Sequence, residues 1–133
     1  MEDILQRLPH RPPFVMIDSI TSDNGAVRGQ FKIEPGNVLL EDGYFSESGL
    51  VENMAQTTGA GLPQQGPDTA PSVGYIGAIK DLQVYRLPAL GTTITTEVSY
   101  LHQVMNAHIV NARVLNENRE LLASCELKIF LQS

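Results

Sequence analysis

The sequence predicts an α+β domain in which a curved antiparallel sheet wraps around one central helix. One long segment, near residues 46–61, has a helix cap followed by apolar or small residues on almost every side, which is typical of a buried helix. The sequence after it alternates apolar and polar residues over long runs, as strands do when one sheet face is covered. The 133 residues suit a single domain, 1–133, so the helix and the sheet must bury each other.

Several short elements are predicted before the helix. Residues 2–7 predict a short helix, and residues 8–14 predict an irregular corner fixed by three prolines. Residues 14–20 are rich in strand formers and predict a strand. An Asp-Asn-Gly turn joins it to a second strand at residues 26–33, which makes a hairpin. A Glu-Pro-Gly-Asn break and residues 38–43 then lead into the helix.

The central helix is predicted to begin at a capping serine. Ser46 can accept hydrogen bonds from the first free amides, and Glu47 suits the positive end of the helix dipole. Phe45 before the cap and Leu50 after it form a hydrophobic staple. The later helix contains residues that are poor helix formers, namely Thr57, Thr58, Gly59 and Gly61. Tertiary packing must therefore hold this helix.

The rest of the chain predicts a loop and then antiparallel strands. Residues 62–72 predict a mobile loop. The strands follow at residues 73–87 (bent at Gly77), 92–104, 107–115 and 120–131. An exposed edge of such a sheet needs cover or pairing, which favours an oligomer.

Composition excludes several classes of function. The net charge of −6 argues against a broad basic surface for nucleic acid. No run of about 18 apolar residues and no signal-peptide pattern is present, so we expect a cytoplasmic protein that does not bind membranes. The single cysteine, Cys125, excludes an internal disulfide and a thiolate-cluster metal site. It alternates with apolar residues, including Leu121 and Leu127, and is interpreted as a buried, inert thiol.

Glu52 is the ionisable group that stands out on the predicted helix. A buried glutamate is costly unless it is paired, hydrogen-bonded or protonated, which makes it a candidate catalytic acid or base. Gln56 lies one turn further on the same face. The alternative is a glutamate on a small exposed stripe, bonded to a nearby amide. Among the histidines, His102 is interpreted as a core or dimer-contact residue and His108 as structural, and no histidine spacing indicates a metal site.

Three blocks of sequence, taken together, resemble a known family. The first is Leu-Pro-His-Arg at residues 8–11, followed by Pro-Phe and Asp18. The second is Glu-Asn-Met-Ala-Gln at residues 52–56, with Gly59. The third runs through residues 75–91. They are similar to the opening motif, the central-helix signature and the acyl-tunnel strand of the β-hydroxyacyl-acyl-carrier-protein dehydratases, which have the hot-dog fold.

One departure from this family concerns its catalytic histidine. Typical members have Gly-His-Phe before the helix, whereas this sequence has Gly43-Tyr44-Phe45, with a shortened segment before Glu52. In this respect the chain is similar to a diverged branch associated with aryl-polyene-type pigment synthesis. The resemblance implies Glu52 as the catalytic carboxylate and makes His10 the candidate replacement base. Tyr44 is a candidate hydrogen-bond donor or a filler of the space that the histidine left.

The resemblance also implies a substrate and an assembly. Tyr44, Phe45, Gln56 and Tyr75 are expected to bind the acyl substrate, which is carried on an acyl carrier protein or on coenzyme A. The reaction needs neither metal nor organic cofactor, and the active site would form where two protomers meet. We expect a homodimer, a higher homo-oligomer or a heterodimer with a related subunit. A local basic patch would dock an acidic carrier protein, with candidates Arg7, Arg11, Lys80 and Arg86.

The sequence is also compatible with two other functions. A hot-dog thioesterase can also use a helix carboxylate, to activate water or to attack the thioester carbonyl. A non-catalytic partner subunit would keep the acyl pocket but lack the chemistry, and the absent histidine favours this reading. The dehydratase yields an enoyl thioester, the thioesterase frees a thiol, and the partner subunit alone does neither.

Overall fold

An antiparallel sheet that packs on one long helix forms the body of the structure, a computed structural model that describes residues 4–23, 26–62 and 73–132. The helix, α1, spans Glu47–Ala60. The strands are β1 (Ser19–Asp23), β2 (Ala26–Lys32), β3 (Leu40–Glu41), β4 (Tyr44–Phe45), β5 (Val73–Val84), β6 (Thr93–Val104), β7 (Ala107–Leu115) and β8 (Leu121–Gln132). The predicted architecture, a sheet around a central helix, is confirmed.

Six strands form the main sheet, in the order β1-β2-β6-β7-β8-β5. Every neighbouring pair in this sheet for which a register is defined is antiparallel. α1 packs against β2, β5, β6, β7 and β8, so one face of the sheet covers the helix. β5 lies at an edge of the sheet, which leaves one side of its backbone without a strand neighbour within the described chain.

The start of α1 confirms the predicted cap. The Oγ atom of Ser46 accepts a hydrogen bond of 3.1 Å from the amide of Gly49. In the second half of the helix, the hydroxyls of Thr57 and Thr58 donate to the carbonyls of Asn53 and Met54 one turn earlier. Because these hydroxyls bond within the helix, the two buried threonines cost little desolvation energy.

The hydrophobic core lies between α1 and the covered sheet face. Leu50 and Met54 of α1 are fully buried against Val98 of β6 and Leu127 of β8. Cys125 lies in this core with its Sγ atom 3.7 Å from the Sδ atom of Met54. Burial raises the pKa of the Cys125 thiol to about 11, which agrees with the predicted inert thiol.

The strand predicted at residues 14–20 is wrong over most of its length. β1 begins only at Ser19, and the short helix predicted at residues 2–7 is a single 3₁₀ turn at Ile4–Gln6. The backbone of residues 14–16 bonds to amide side chains of α1 instead of to a strand. The predicted turn at residues 24–25 and most of the predicted loop (residues 63–72) lie outside the described residues.

The later strands follow the prediction closely, with two irregularities. β5 has a register shift at Gly77, where a bend was predicted, and a second one between Lys80 and Gln83. A shift near the start of β8 turns Leu121 outward, so that it is 38% exposed instead of lying on the apolar face.

In the described part of the chain, no helix has the length and apolar character needed to span a bilayer.

Candidate functional site

A cavity of about 210 Å³ opens beside the middle of α1 and brings together four of the predicted site residues. His10 enters it from the N-terminal corner, Glu52 and Gln56 from α1, and Tyr75 from β5. The rest of the wall is mainly apolar or small and includes Leu8, Ala55, Gly59, Ile76 and Ile129. An apolar cavity with a few convergent polar groups is the usual form of a small-molecule site.

Glu52 is held on the cavity wall by Gln56. The Nε2 atom of Gln56 donates a hydrogen bond of 3.1 Å to Oε2 of Glu52. The sequence left two alternatives, a buried catalytic carboxylate or an exposed glutamate bonded to an amide. The structure combines parts of both, because Glu52 is half-buried, bonded to the amide and part of the cavity.

The other hydrogen bonds of Gln56 reach the N-terminal segment. Its Nε2 atom also donates to the carbonyl of Phe14 at 2.9 Å, and its Oε1 atom accepts from the amide of Met16 at 2.7 Å. Only 2% of Gln56 is exposed. The side chain therefore fixes Glu52 and the backbone of residues 14–16 to each other. Direct binding of substrate by Gln56 stays a prediction.

Asn53 is a polar residue for which the sequence analysis proposed no role. It is fully buried, and its Nδ2 atom donates to the carbonyl of Met16 at 2.7 Å. Its Oδ1 atom accepts a hydrogen bond from the hydroxyl of Thr96 on β6. Asn53 and Gln56 thus satisfy both backbone polar groups of Met16. The sequence did contain a signal for this role. Asn53 is a second amide side chain, three residues before Gln56, on a helix that was predicted to be buried.

His10 is positioned by the corner that the prolines create. The Nη1 atom of Arg11 donates to the carbonyls of His10, Leu8 and Leu5, at 2.7, 2.9 and 3.3 Å. The Nδ1 atom of His10 is buried and has no hydrogen-bond partner in the described part of the chain. An unsatisfied buried nitrogen is costly, and the His10 side chain is also part of the cavity wall.

Two of the four candidate docking residues have structural roles. Arg11 closes the corner through its bonds to backbone carbonyls, and Nη1 of Arg7 donates to the carbonyl of Ala60 at 3.0 Å. A cation at this carbonyl satisfies a free acceptor at the carboxyl end of α1. Arg86 pairs with Glu120 at 3.2 Å on the surface, and Lys80 is exposed on β5.

Tyr44 and Phe45 do not line the cavity that holds Glu52. Phe45 is fully buried, with its ring centroid 5.5 Å from that of Phe31. Tyr44 is 49% exposed and forms a bridge with Ala89, in the segment between β5 and β6. Their roles in substrate binding stay predictions, and a role for Tyr44 in this site would require a second chain.

The remaining histidines lie away from Glu52. His102 and His108 border a second cavity near the carboxyl end of α1, together with Tyr100 and Gly61. His102 is exposed because a register shift after Tyr100 interrupts the alternation of β6, so a core position for it is wrong. Desolvation lowers the pKa of His108.

Among the described residues, no group of three or more His, Cys, Asp or Glu side chains could hold a metal ion.

The known proteins that resemble this chain cover all or most of its length. The model of a family described as ApeP-like, ApeP dehydratase, matches residues 2–133. A 3-hydroxyacyl-acyl-carrier-protein dehydratase FabZ from Tolumonas auensis is 29% identical over 119 residues, which cover 77% of this chain and 76% of the relative. A FabZ from Herpetosiphon aurantiacus is 29% identical over 109 residues, with 74% of each chain covered.

Among solved structures, the dehydratase heterocomplex ApeI:P from Xenorhabdus doucetiae is similar in fold. A chain of that complex superimposes with a TM-score of 0.86 and 18% identity, over 100% of this chain and 93% of the other. At this identity the likeness supports the fold alone, which is the predicted hot-dog fold.

Proposed function

Because the chain belongs to the ApeP-like dehydratase family, we propose that it removes water from β-hydroxyacyl groups carried as thioesters on acyl carrier protein, with Glu52 and His10 as the acid–base pair. The observation that carries the proposal is the shared cavity, whose wall contains both Glu52 and His10 although they come from distant parts of the chain. The two FabZ relatives bear the name of that activity. The cytoplasmic location expected from the sequence is part of this proposal.

The reaction requires a base and an acid on the two carbons beside the thioester carbonyl. The imidazole of His10 takes a proton from the carbon next to the carbonyl, and the carboxyl group of Glu52 gives a proton to the hydroxyl on the following carbon. The carbon–oxygen bond breaks, water leaves, and a double bond forms between the two carbons. The imidazolium and the carboxylate then exchange a proton through water, which restores both groups.

Gln56 determines which carboxylate oxygen of Glu52 is available. Its amide N–H holds Oε2, so we place the transferred proton on Oε1. Because Gln56 is also bonded to Phe14 and Met16, the carboxylate keeps a fixed position relative to the segment that follows His10. Such positioning supplies a large part of many enzymatic rate enhancements.

The edge strand β5 supports a dimeric assembly. Among the described residues, six of the thirteen large exposed hydrophobic side chains lie between positions 75 and 90, and they are Tyr75, Ile76, Ile79, Leu82, Tyr85 and Leu90. A long apolar edge strand invites pairing with another chain. We propose that β5 pairs with the same strand of a second copy or of a related subunit, and that the exposed side chain of Tyr44 faces the partner's cavity.

The deciding experiment is mass spectrometry of a carrier protein loaded with a β-hydroxyacyl group and incubated with the pure protein. Loss of one water from the intact acyl carrier, abolished by Glu52→Gln and retained by Glu47→Gln, is the expected result. The Glu47 variant is a matched control, because this residue is exposed at the start of the same helix. Release of free carrier thiol would indicate a thioesterase instead. Binding without any change in mass would indicate a non-catalytic partner.

A further inference from the structure

The sheet face turned away from α1, here called the outer face, has a charge opposite to that of the whole chain. Register and exposure place six basic residues on it, namely Arg28, Lys32, Lys80, Arg113, Arg119 and Lys128, and two acidic ones, Glu97 and Glu126. Six basic against two acidic side chains give a net charge of +4. The chain as a whole has nine basic and fifteen acidic residues and a net charge of −6, so the remainder carries three basic and thirteen acidic ones.

Glu97 organises the centre of the outer face. Its Oε1 atom accepts from Nη2 of Arg113 at 2.7 Å, and its Oε2 atom accepts from Arg28 at 3.0 Å and from Arg119 at 3.2 Å. The hydrogen bond from Arg113 is the main cause that lowers the pKa of Glu97, so this carboxylate is ionised at neutral pH. One carboxylate thus holds three guanidinium groups and leaves two positive charges in excess.

The three arginines are positioned and yet accessible. The side chain of Glu97 is 14% exposed, whereas those of Arg28, Arg113 and Arg119 are 59, 54 and 59% exposed. Guanidinium groups that are already held in place lose less entropy when they bind a carboxylate or phosphate. The outer face is therefore suited to a partner with a negative surface.

The side of the chain that contains the helix has the opposite charge. The described residues 33–62, which include α1, contain no lysine or arginine and five acidic residues, namely Glu34, Glu41, Asp42, Glu47 and Glu52. Near the cavity, Arg7 and Arg11 bond to backbone carbonyls. An acidic partner that approached the helix side would thus meet mainly like charge, which opposes association.

We propose that the outer face is the docking surface for the acidic carrier protein, with Arg28, Arg113 and Arg119 as its centre; this inference depends on the proposed function. The distances suit one partner of ordinary size. From β2, which carries Arg28, to β5, which carries Lys80, there are four strand spacings, roughly 19 Å, which lies within an interface of about 800 Å² on each partner.

The same surface leads towards the cavity. Lys80 lies on β5, the strand whose residue Ile76 lines the cavity with Glu52. Lys80 is four positions after Ile76 in the sequence, which is roughly 13 Å along a strand. A carrier protein on the outer face can therefore pass its extended prosthetic arm around the end of β5 near Ile76.

The test compares one acyl group on two carriers. We would measure kcat/KM for a β-hydroxyacyl group on acyl carrier protein and for the same group as an N-acetylcysteamine thioester. The double variants Arg28→Ala/Arg113→Ala and Lys80→Ala/Lys128→Ala are each expected to lower kcat/KM at least tenfold for the carrier protein and less than twofold for the small thioester. Glu47→Gln, which removes an exposed charge at the start of α1 and not on the outer face, is expected to change neither value more than twofold.

Several results would overturn the proposal. One is an unchanged kcat/KM for the carrier protein in both double variants, and another is an equal loss for both substrates. A change of oligomeric state in the variants, measured by sedimentation, would make the outer face a subunit contact instead. If the native protein converts neither thioester, the proposed function fails; fluorescence anisotropy of labelled, unloaded carrier protein then tests docking separately, with at least tenfold weaker binding expected for the double variants.

Discussion

Nε2 of Gln56 lies 3.1 Å from Oε2 of Glu52, and the same amide group is bonded to the backbone of the segment that follows His10. One buried side chain thus connects the candidate acid to the part of the chain that carries the candidate base. This relation makes the stability of the N-terminal segment and the position of the carboxylate dependent on a single residue.

Gln56→Ala should reduce both stability and turnover. The substitution leaves the buried amide of Met16 without its acceptor, which we expect to lower the free energy of unfolding by about 2–3 kcal/mol. Loss of the bond to Glu52 should lower kcat on the order of 100-fold, since misplaced catalytic groups are costly. Denaturant unfolding and steady-state kinetics measure the two effects.

Asn53→Ala is the matched control for Gln56→Ala. It removes the hydrogen bond to the carbonyl of Met16 and leaves the hydroxyl of Thr96 without its acceptor, so a similar loss of stability is expected. Asn53 does not contact the carboxylate of Glu52 through any described hydrogen bond, and kcat of the folded variant should fall less than fivefold. Equal losses of kcat in both variants would show that Gln56 acts only through the fold.

Gly59 offers a test of the cavity itself. A Cβ atom at this position would meet no heavy atom within 4 Å, and Gly59 lines the cavity that contains Glu52. Gly59→Ala should raise the free energy of unfolding by up to about 1 kcal/mol, because alanine is the better helix former. Gly59→Leu should stay folded, which circular dichroism checks, but should raise KM at least tenfold by filling the cavity. An unchanged KM would mean that substrate binds elsewhere.

Elements that depend on neighbouring residues were predicted correctly from the sequence. The cap at Ser46 depends on residues within one helical turn, and β6 and β7 show clear alternation over nine or more residues. These elements were predicted within one residue at each end. The tiny strands β3 and β4, with two residues each, are too short to leave a pattern.

Long-range relations were not readable from local pattern. Residues 14–18 have the composition of a strand, but amides that lie about forty positions later, on α1, take the hydrogen bonds of Phe14 and Met16. Likewise, only the family resemblance suggested that His10 and Glu52 belong to one site. The charge of the outer face depends on the register of five strands, which the sequence does not specify.

Cys125 should make stability depend on pH in alkaline solution. Burial raises the folded pKa of its thiol from the ordinary value of 9.0 to about 11, so the folded state favours the protonated thiol. The resulting stabilisation is complete below pH 9 and is lost as the pH rises through 11. Between these values the free energy of unfolding should fall about 1.4 kcal/mol more per pH unit in the native protein than in Cys125→Ala. Parallel pH profiles of the two proteins would contradict this prediction.

Ile79→Lys should dissociate the proposed β5 interface. Ile79 is 42% exposed on the edge strand, so the isolated chain can tolerate the lysine, whereas an apolar interface cannot. We expect at least tenfold weaker self-association, or weaker association with the related subunit, by sedimentation. Leu101→Lys makes the same change at a residue that is 45% exposed on β6, and it should leave assembly intact. Weaker association in Leu101→Lys but not in Ile79→Lys would place the interface at the β6–β7 hairpin.

His10→Ala should lower kcat by a factor of about 10²–10⁴, the range found when a general base is removed. Its Nδ1 atom has no hydrogen-bond partner in the part of the chain that the structure describes, so the substitution breaks no described bond of the ring, and we expect the thermal midpoint to change by less than about 5 °C. His102→Ala is the control, because His102 is exposed and lies outside the Glu52 cavity. A kcat within threefold of the native value in His10→Ala would exclude His10 as the base, and Tyr44→Phe would then test whether the partner's phenol completes the site.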